Sequence, residues 1–140
     1  MFSIALGDIV PYRTFVTHTF RRWLRKSPLS ERALCDAIAE MRTGLIDADL
    51  GGHLFKKRVA APGRGKRGSA RVLVGTNLGD RWFFLFGFEK NERDNINDRE
   101  LAALQKLAGA LLNLDAGEIT RQLEAGILEE ICHETQSHTQ

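Results

Sequence analysis

Residues 71–88, RVLVGTNLGDRWFFLFGF, decide the fold. The segment RVLVGT is β-branched and reads as a strand. Asn77-Leu78-Gly79-Asp80 supplies turn residues. RWFFLFGF follows as an almost continuous apolar run, the pattern of a strand covered on both faces. Two strands across so short a turn predict an antiparallel hairpin. Upstream, residues 53–60, HLFKKRVA, read as a third strand, joined to the hairpin by the glycine-rich loop 62–69, PGRGKRGS.

The flanks change period. Residues 14–17, TFVT, predict a short strand. In residues 17–26, THTFRRWLRK, Phe20, Trp23 and Leu24 fall at i, i+3 and i+4, which puts them on one helical face with Arg21, Arg22, Arg25 and Lys26 on the others. Ser27-Pro28 breaks this helix and Ser30 caps a second, whose Leu34, Ala37, Ile38 and Met41 repeat at helical spacing up to a stop at Gly44. Downstream, Asn97 or Asp98 caps a helix with a stripe of Leu101, Leu104, Leu107, Ala108 and Leu111. A short helix near 115–125 and an apolar Gly126-Ile127-Leu128 follow, and 132–140 reads as a disordered tail. Helices and strands that do not alternate predict an α+β fold. The expected architecture is a small, mostly antiparallel sheet packed against an N-terminal helical hairpin, with additional C-terminal helices.

The chain has 140 residues, 43% hydrophobic and 27% charged, which suits one soluble domain with its own core. No apolar run approaches a bilayer span. The opening MFSIALGDIV lacks a basic start and is interrupted by Asp8, so it is not read as a secretion signal. The expected location is the cytoplasm. Cys35 and Cys132 are accordingly expected to be reduced packing residues.

A net charge of +2 conceals a strong asymmetry. Between residues 13 and 26, Arg13, Arg21, Arg22, Arg25 and Lys26 meet no acid. Between 56 and 71, Lys56, Lys57, Arg58, Arg64, Lys66, Arg67 and Arg71 meet none either. From Asp115 onward, Asp115, Glu118, Glu124, Glu129, Glu130 and Glu134 face only Arg121. A basic middle beside an acidic end points to a polyanion-binding surface.

Other chemistries fit poorly. Gly63, Gly65 and Gly68 match a dinucleotide-binding glycine spacing, but a strand follows where that motif needs a helix. His18, His53, His133 and His138 lack zinc-ligand spacing, and no metal or cofactor is expected. Glu89, Glu92 and Asp94 are interleaved with Lys90 and Arg93, so they neutralise locally. No nucleophile elbow occurs.

The basic elements are expected to converge on one side of the sheet. Lys56, Lys57 and Arg58 alternate faces of their strand. Arg64, Lys66 and Arg67 lie on the glycine loop, Arg71 opens the next strand, and Arg81, Lys90 and Arg93 flank the apolar one. Phe88 is a candidate for stacking on a base.

These segments together resemble the RelE/HigB-like toxins of type II toxin–antitoxin systems. The resemblance is carried by Trp23 in a basic first helix, Gly44 to Gly52, Leu54 to Val59, Gly63 to Gly68 with Arg71, Phe83-Phe84, Gly87 to Asn91, and Arg93 to Ile96. It spans roughly residues 14–131, with 1–13 as an extension, 14–112 as the core and 113–131 as a helical extension of one domain. The chain departs from the family loop at Arg67, Ser69 and Ala70, and its only tyrosine, Tyr12, lies outside the matched part.

The resemblance implies a metal-free endoribonuclease that cuts messenger RNA in the ribosomal decoding site. It also implies a cognate antitoxin, a small helix-turn-helix DNA-binding protein. Such an enzyme uses the RNA's own 2′-hydroxyl as nucleophile. Lys57 is then expected to act as base or to orient the hydroxyl. Arg58 and Arg71 are expected to grip the phosphate, and Lys66 or Lys90 to act as general acid, with Lys56, Arg64, Arg67, Arg81, Phe88 and Arg93 binding RNA. A non-catalytic nucleic-acid-binding regulator and a protein-binding adaptor are the competing classes.

Overall fold

A computed structural model describes residues 11–61 and 69–133. The elements in chain order are β1 (Arg13–Thr17), α1 (His18–Lys26), α2 (Glu31–Arg42), β2 (Ala48–Asp49), β3 (Leu54–Val59), β4 (Ala70–Thr76), β5 (Arg81–Glu89), α3 (Asp98–Leu112), α4 (Ala116–Glu124) and β6 (Leu128–Ile131). The strands form one sheet in the order β2-β3-β4-β5-β1-β6. β1 runs parallel to β5, and every other neighbouring pair is antiparallel. The chain is thus α+β with a mixed, mostly antiparallel sheet.

Local chemistry sets the helix ends. Thr17, Ser30, Asn97 and Asp115 each accept a backbone N–H through their side chains at the four N-termini. Asn97 with Glu100 and Asp115 with Glu118 complete reciprocal capping boxes. Gly44, just past α2, takes a φ of +99°, a left-handed conformation that glycine adopts at little cost.

The sheet is covered on both faces. On the first face, α1 seats on β5 and α2 on β3, burying Phe20, Leu24, Leu34 and Ile38 against Val72, Val74, Trp82 and Phe84. On the second, α3 and α4 cover Phe15, Leu54, Leu73, Phe83 and Leu85 with Leu104, Ala108 and Ile119. The reading of RWFFLFGF as a doubly covered strand therefore holds: Trp82 to Leu85 are no more than 2% exposed. Each N-terminal helix lies on its own strand, where the sequence suggested a hairpin of the two.

Four expectations are corrected. Residues 128–131 form an edge strand antiparallel to β1, not the end of a helical extension. Tyr12 and Arg13, expected in an extension, belong to the fold: Tyr12 is buried in the first core and Arg13 begins β1. Cys35 on α2 and Cys132 after β6 are joined in a disulfide, with Cα atoms 5.6 Å apart. Their separation of 97 residues hides the meeting from any local reading. The tail expected to be disordered, 132–140, is corrected at its start, since Cys132 is buried and disulfide-bonded; residues 134–140 and the loop residues 62–68 lie outside the described residues.

Candidate nucleic-acid interface

Strand register determines which cations meet. In the β3–β4 ladder Lys56 stands opposite Leu73, Lys57 opposite Val72 and Arg58 opposite Arg71. In the β4–β5 ladder Arg71 stands opposite Phe88 and Leu73 opposite Phe86. Opposed residues share a face, and alternate residues along a strand share one too. Lys56, Arg58, Arg71, Phe86 and Phe88 therefore lie on the second face, that of Leu54 and Leu73. A register shift between Leu73 and Val74 inserts an extra residue, Leu85, in β5. This bulge brings Phe86 and Phe88 to the same side as Arg71.

α3 covers only part of that face. It approaches β4 so closely at Gly75 that a Cβ there would lie 2.9 Å from the Cβ of Ala108. The other end of β4, where Arg71 sits, is less covered: Arg58 is exposed, and Lys56, Arg71 and Phe86 are half-buried. The result is a strip of cations on rigid strands, open to solvent.

The electrostatics of the strip are one-sided. Arg58 and Arg71 are directly opposed like charges, an arrangement that destabilises a bare sheet. The side chains of Lys56 and Arg58 have no carboxylate partner among the described residues, and Arg71 donates to the Ser69 hydroxyl at 3.2 Å. Of the two acids between α2 and β3, Asp47 uses its carboxylate to accept the backbone N–H of Arg58 and Asp49 accepts that of Gly51. An anion with several acceptor oxygens is the complement such a strip lacks.

Arg93 closes one side. Its guanidinium lies 5.9 Å from the centroid of Phe86 and 5.8 Å from that of Phe88, within cation–π range. It donates to the carbonyl of Asn95 at 3.0 Å and grips both carboxylate oxygens of Glu100. The pairing raises the Arg93 pKa and holds Glu100 below the usual carboxylate range. Because Glu100 also caps α3, Arg93 is tied to that helix's first turn.

Several expected residues fall elsewhere. Lys57 is on the first face, 7% exposed, with its ammonium 2.7 Å from Glu40 Oε1 and 3.0 Å from the Leu45 carbonyl. Alternation along β3 separates it from Arg71, so it anchors α2 to the sheet and cannot serve as base at the strip. Arg81 begins β5, at the opposite end from Phe88, and donates to the Leu114 carbonyl. Phe88 is 2% exposed beneath Arg93, so no base can stack on it in this conformation. Lys90 is exposed just past β5. Arg64, Lys66 and Arg67 lie outside the described residues. Ser69, which the sequence reading passed over, holds Arg71; its one signal was the position two residues before that arginine, where the chain departs from the family loop. His53 stands at the far end of β3, and Tyr12 is packed under Arg42 on the first face.

Residues 12–131 match the family model described as the RelE toxin of the RelE/RelB toxin–antitoxin system. No curated protein matches the chain.

Proposed function

The chain belongs to the RelE toxin family, and from that premise we propose that it is a metal-independent endoribonuclease that cuts messenger RNA on the ribosome. The observation that carries this reading is the strip itself: Lys56, Arg58 and Arg71 share one face at the open end of the sheet. Arg58 and Arg71 hold the scissile phosphate. Their fixed charge and forked donors suit an anionic, bidentate ligand. The same donors stabilise the charge that builds on phosphorus as the 2′-oxygen attacks. The bond from phosphorus to the 5′-oxygen breaks, leaving a 2′,3′-cyclic phosphate and a 5′-hydroxyl.

Arginine does not exchange its proton at working pH. Proton transfer therefore falls to lysine, with Lys56 at the 2′-hydroxyl and Lys90 at the leaving oxygen. Arg64, Lys66 and Arg67 join the RNA surface on the strength of the sequence alone. Arg93 supports the strip by fixing Phe86 and Phe88. The partner in the cell is an antitoxin, a small helix-turn-helix protein, and the site of action is the cytoplasm. No helix among the described residues is long and apolar enough to cross a membrane.

The test is induced expression without antitoxin, with growth followed alongside primer extension on cellular messages. Arg58→Ala and Arg71→Ala are each expected to cut cleavage by about 10²–10³-fold, the usual cost of removing one donor to a developing charge. Growth arrest that persists undiminished in both variants overturns the reading.

A further inference from the structure

α1 carries a charge pattern that the sheet site does not use. His18, Arg22, Arg25 and Lys26 fall at i, i+4, i+7 and i+8, a single stripe along the helix, and all four are exposed. None of these side chains makes a hydrogen bond or ion pair among the described residues. Arg21 differs: it is turned aside and paired with Glu31 at 3.0 Å and Glu129 at 2.9 Å. Glu31 and Glu129 are thus engaged by Arg21 and not by the stripe. The helix itself contains no acid, and none occurs in the sequence between Asp8 and Glu31.

The stripe carries a cost. Arg22 with Arg25 and Arg22 with Lys26 are like-charge pairs at helical spacing, which oppose helix formation. The C-terminal dipole end offsets part of this for Arg25 and Lys26 only. A bound polyanion would remove it. The opposite side of α1 is fixed: Phe20 and Leu24 are buried, and Trp23 lies against Gly87 so tightly that a Cβ there would overlap its ring. Gly87 directly precedes Phe88, the strand partner of Arg71. The stripe therefore sits rigidly behind the strand end that bears the sheet site.

We propose that this stripe is a second RNA surface, which takes the phosphate backbone of base-paired RNA while the sheet takes a single strand. The inference rests on the reading that the protein acts on RNA. The stripe rises about 12 Å along the helix, enough to follow a few consecutive phosphates. Neither Phe20 nor Trp23, the two large aromatics of α1, is exposed beside Arg22, Arg25 and Lys26, so the stripe lacks the broad stacking platforms that single-strand sites use. Duplex RNA is recognised mainly through its backbone and shape, and cations alone suffice for that.

The test titrates the full chain with an RNA duplex of about 16 base pairs at several salt concentrations, and in parallel with a short single-stranded RNA. The combined variant Arg22→Gln, Arg25→Gln, Lys26→Gln is expected to bind the duplex at least tenfold more weakly. Its log–log salt slope should fall by about 2–3. Single-strand binding should persist. Arg22→Lys with Arg25→Lys keeps the charge and is expected to keep duplex binding, which separates charge from helix stability. Unchanged duplex affinity and slope in the Gln variant overturn the proposal. So does a loss confined to the complex with an acidic antitoxin, which makes the stripe a protein-docking surface. Arg58→Gln with Arg71→Gln, run beside it, separates the two claims. If only those variants weaken RNA binding, the α1 surface alone falls; if neither set does, the RNA reading falls with it.

Discussion

Lys56 and Lys57 are neighbours in sequence with opposite fates. Lys56 lies on the open strip, whereas Lys57 lies inside the fold between Glu40 and the Leu45 carbonyl. Lys57→Met should keep RNA cleavage while lowering stability by about 1–3 kcal/mol, since a buried charge-assisted contact is lost but its partner Glu40 stays half-exposed to water. Urea melts read that loss. A second residue-scale case is Glu130, whose carboxyl the Arg13 guanidinium holds below the ordinary glutamate value of 4.5. A carboxyl with a lowered folded pKa contributes stability above its unfolded value, and that contribution fades as pH falls through the folded one. Glu130→Gln should therefore be less stable than the parent at pH 7, and the gap should close as the solution is acidified below about pH 4.3. A gap that is constant with pH contradicts the pairing.

At the scale of elements, the sequence revealed what local pattern encodes. The β4–β5 hairpin, the caps at Ser30 and Asn97 and the stop at Gly44 all follow from residue types at short spacing. What remained hidden depends on distant pairing. β1 lies parallel to β5 and opens a place for β6, and a four-residue segment such as LEEI carries too little pattern to announce a strand. The site was half visible for the same reason. Alternation splits Lys56 and Arg58 from Lys57, but parity alone does not say which set the helices cover. That answer came from α2, whose Glu40 reaches Lys57, and from α3, which stops short of Arg71. The fit of α1 on β5 gives a direct check. Gly87→Ala places a methyl group inside the Trp23 ring, so it should destabilise the fold by about 1–3 kcal/mol, measured by chemical denaturation. An unchanged midpoint contradicts the seating of α1.

For the whole molecule, the Cys35–Cys132 disulfide ties α2 to the end of the sheet across 97 residues of chain. Closing a loop of that length removes much unfolded-state entropy, on the order of 4–5 kcal/mol in the chain-entropy account. The oxidised protein should melt well above the same protein in dithiothreitol, and Cys35→Ser should behave like the reduced form. Equal melting temperatures in all three contradict the link. A reducing compartment would favour the thiol form, and the two cores would then have to sustain the fold alone. Their extent makes this reasonable: Phe15, Phe20, Trp82, Phe83 and Phe84 are each fully buried.

The central claim is that the reactive surface is the face bearing Lys56, Arg58 and Arg71. Primer extension on cellular messages after induction of Lys56→Ala and Lys57→Ala, with protein levels matched, tests it most directly. Cleavage should collapse in Lys56→Ala and persist in Lys57→Ala. Undiminished cleavage in Lys56→Ala with loss in a folded Lys57→Ala would place the chemistry on the other side of the sheet and contradict the account.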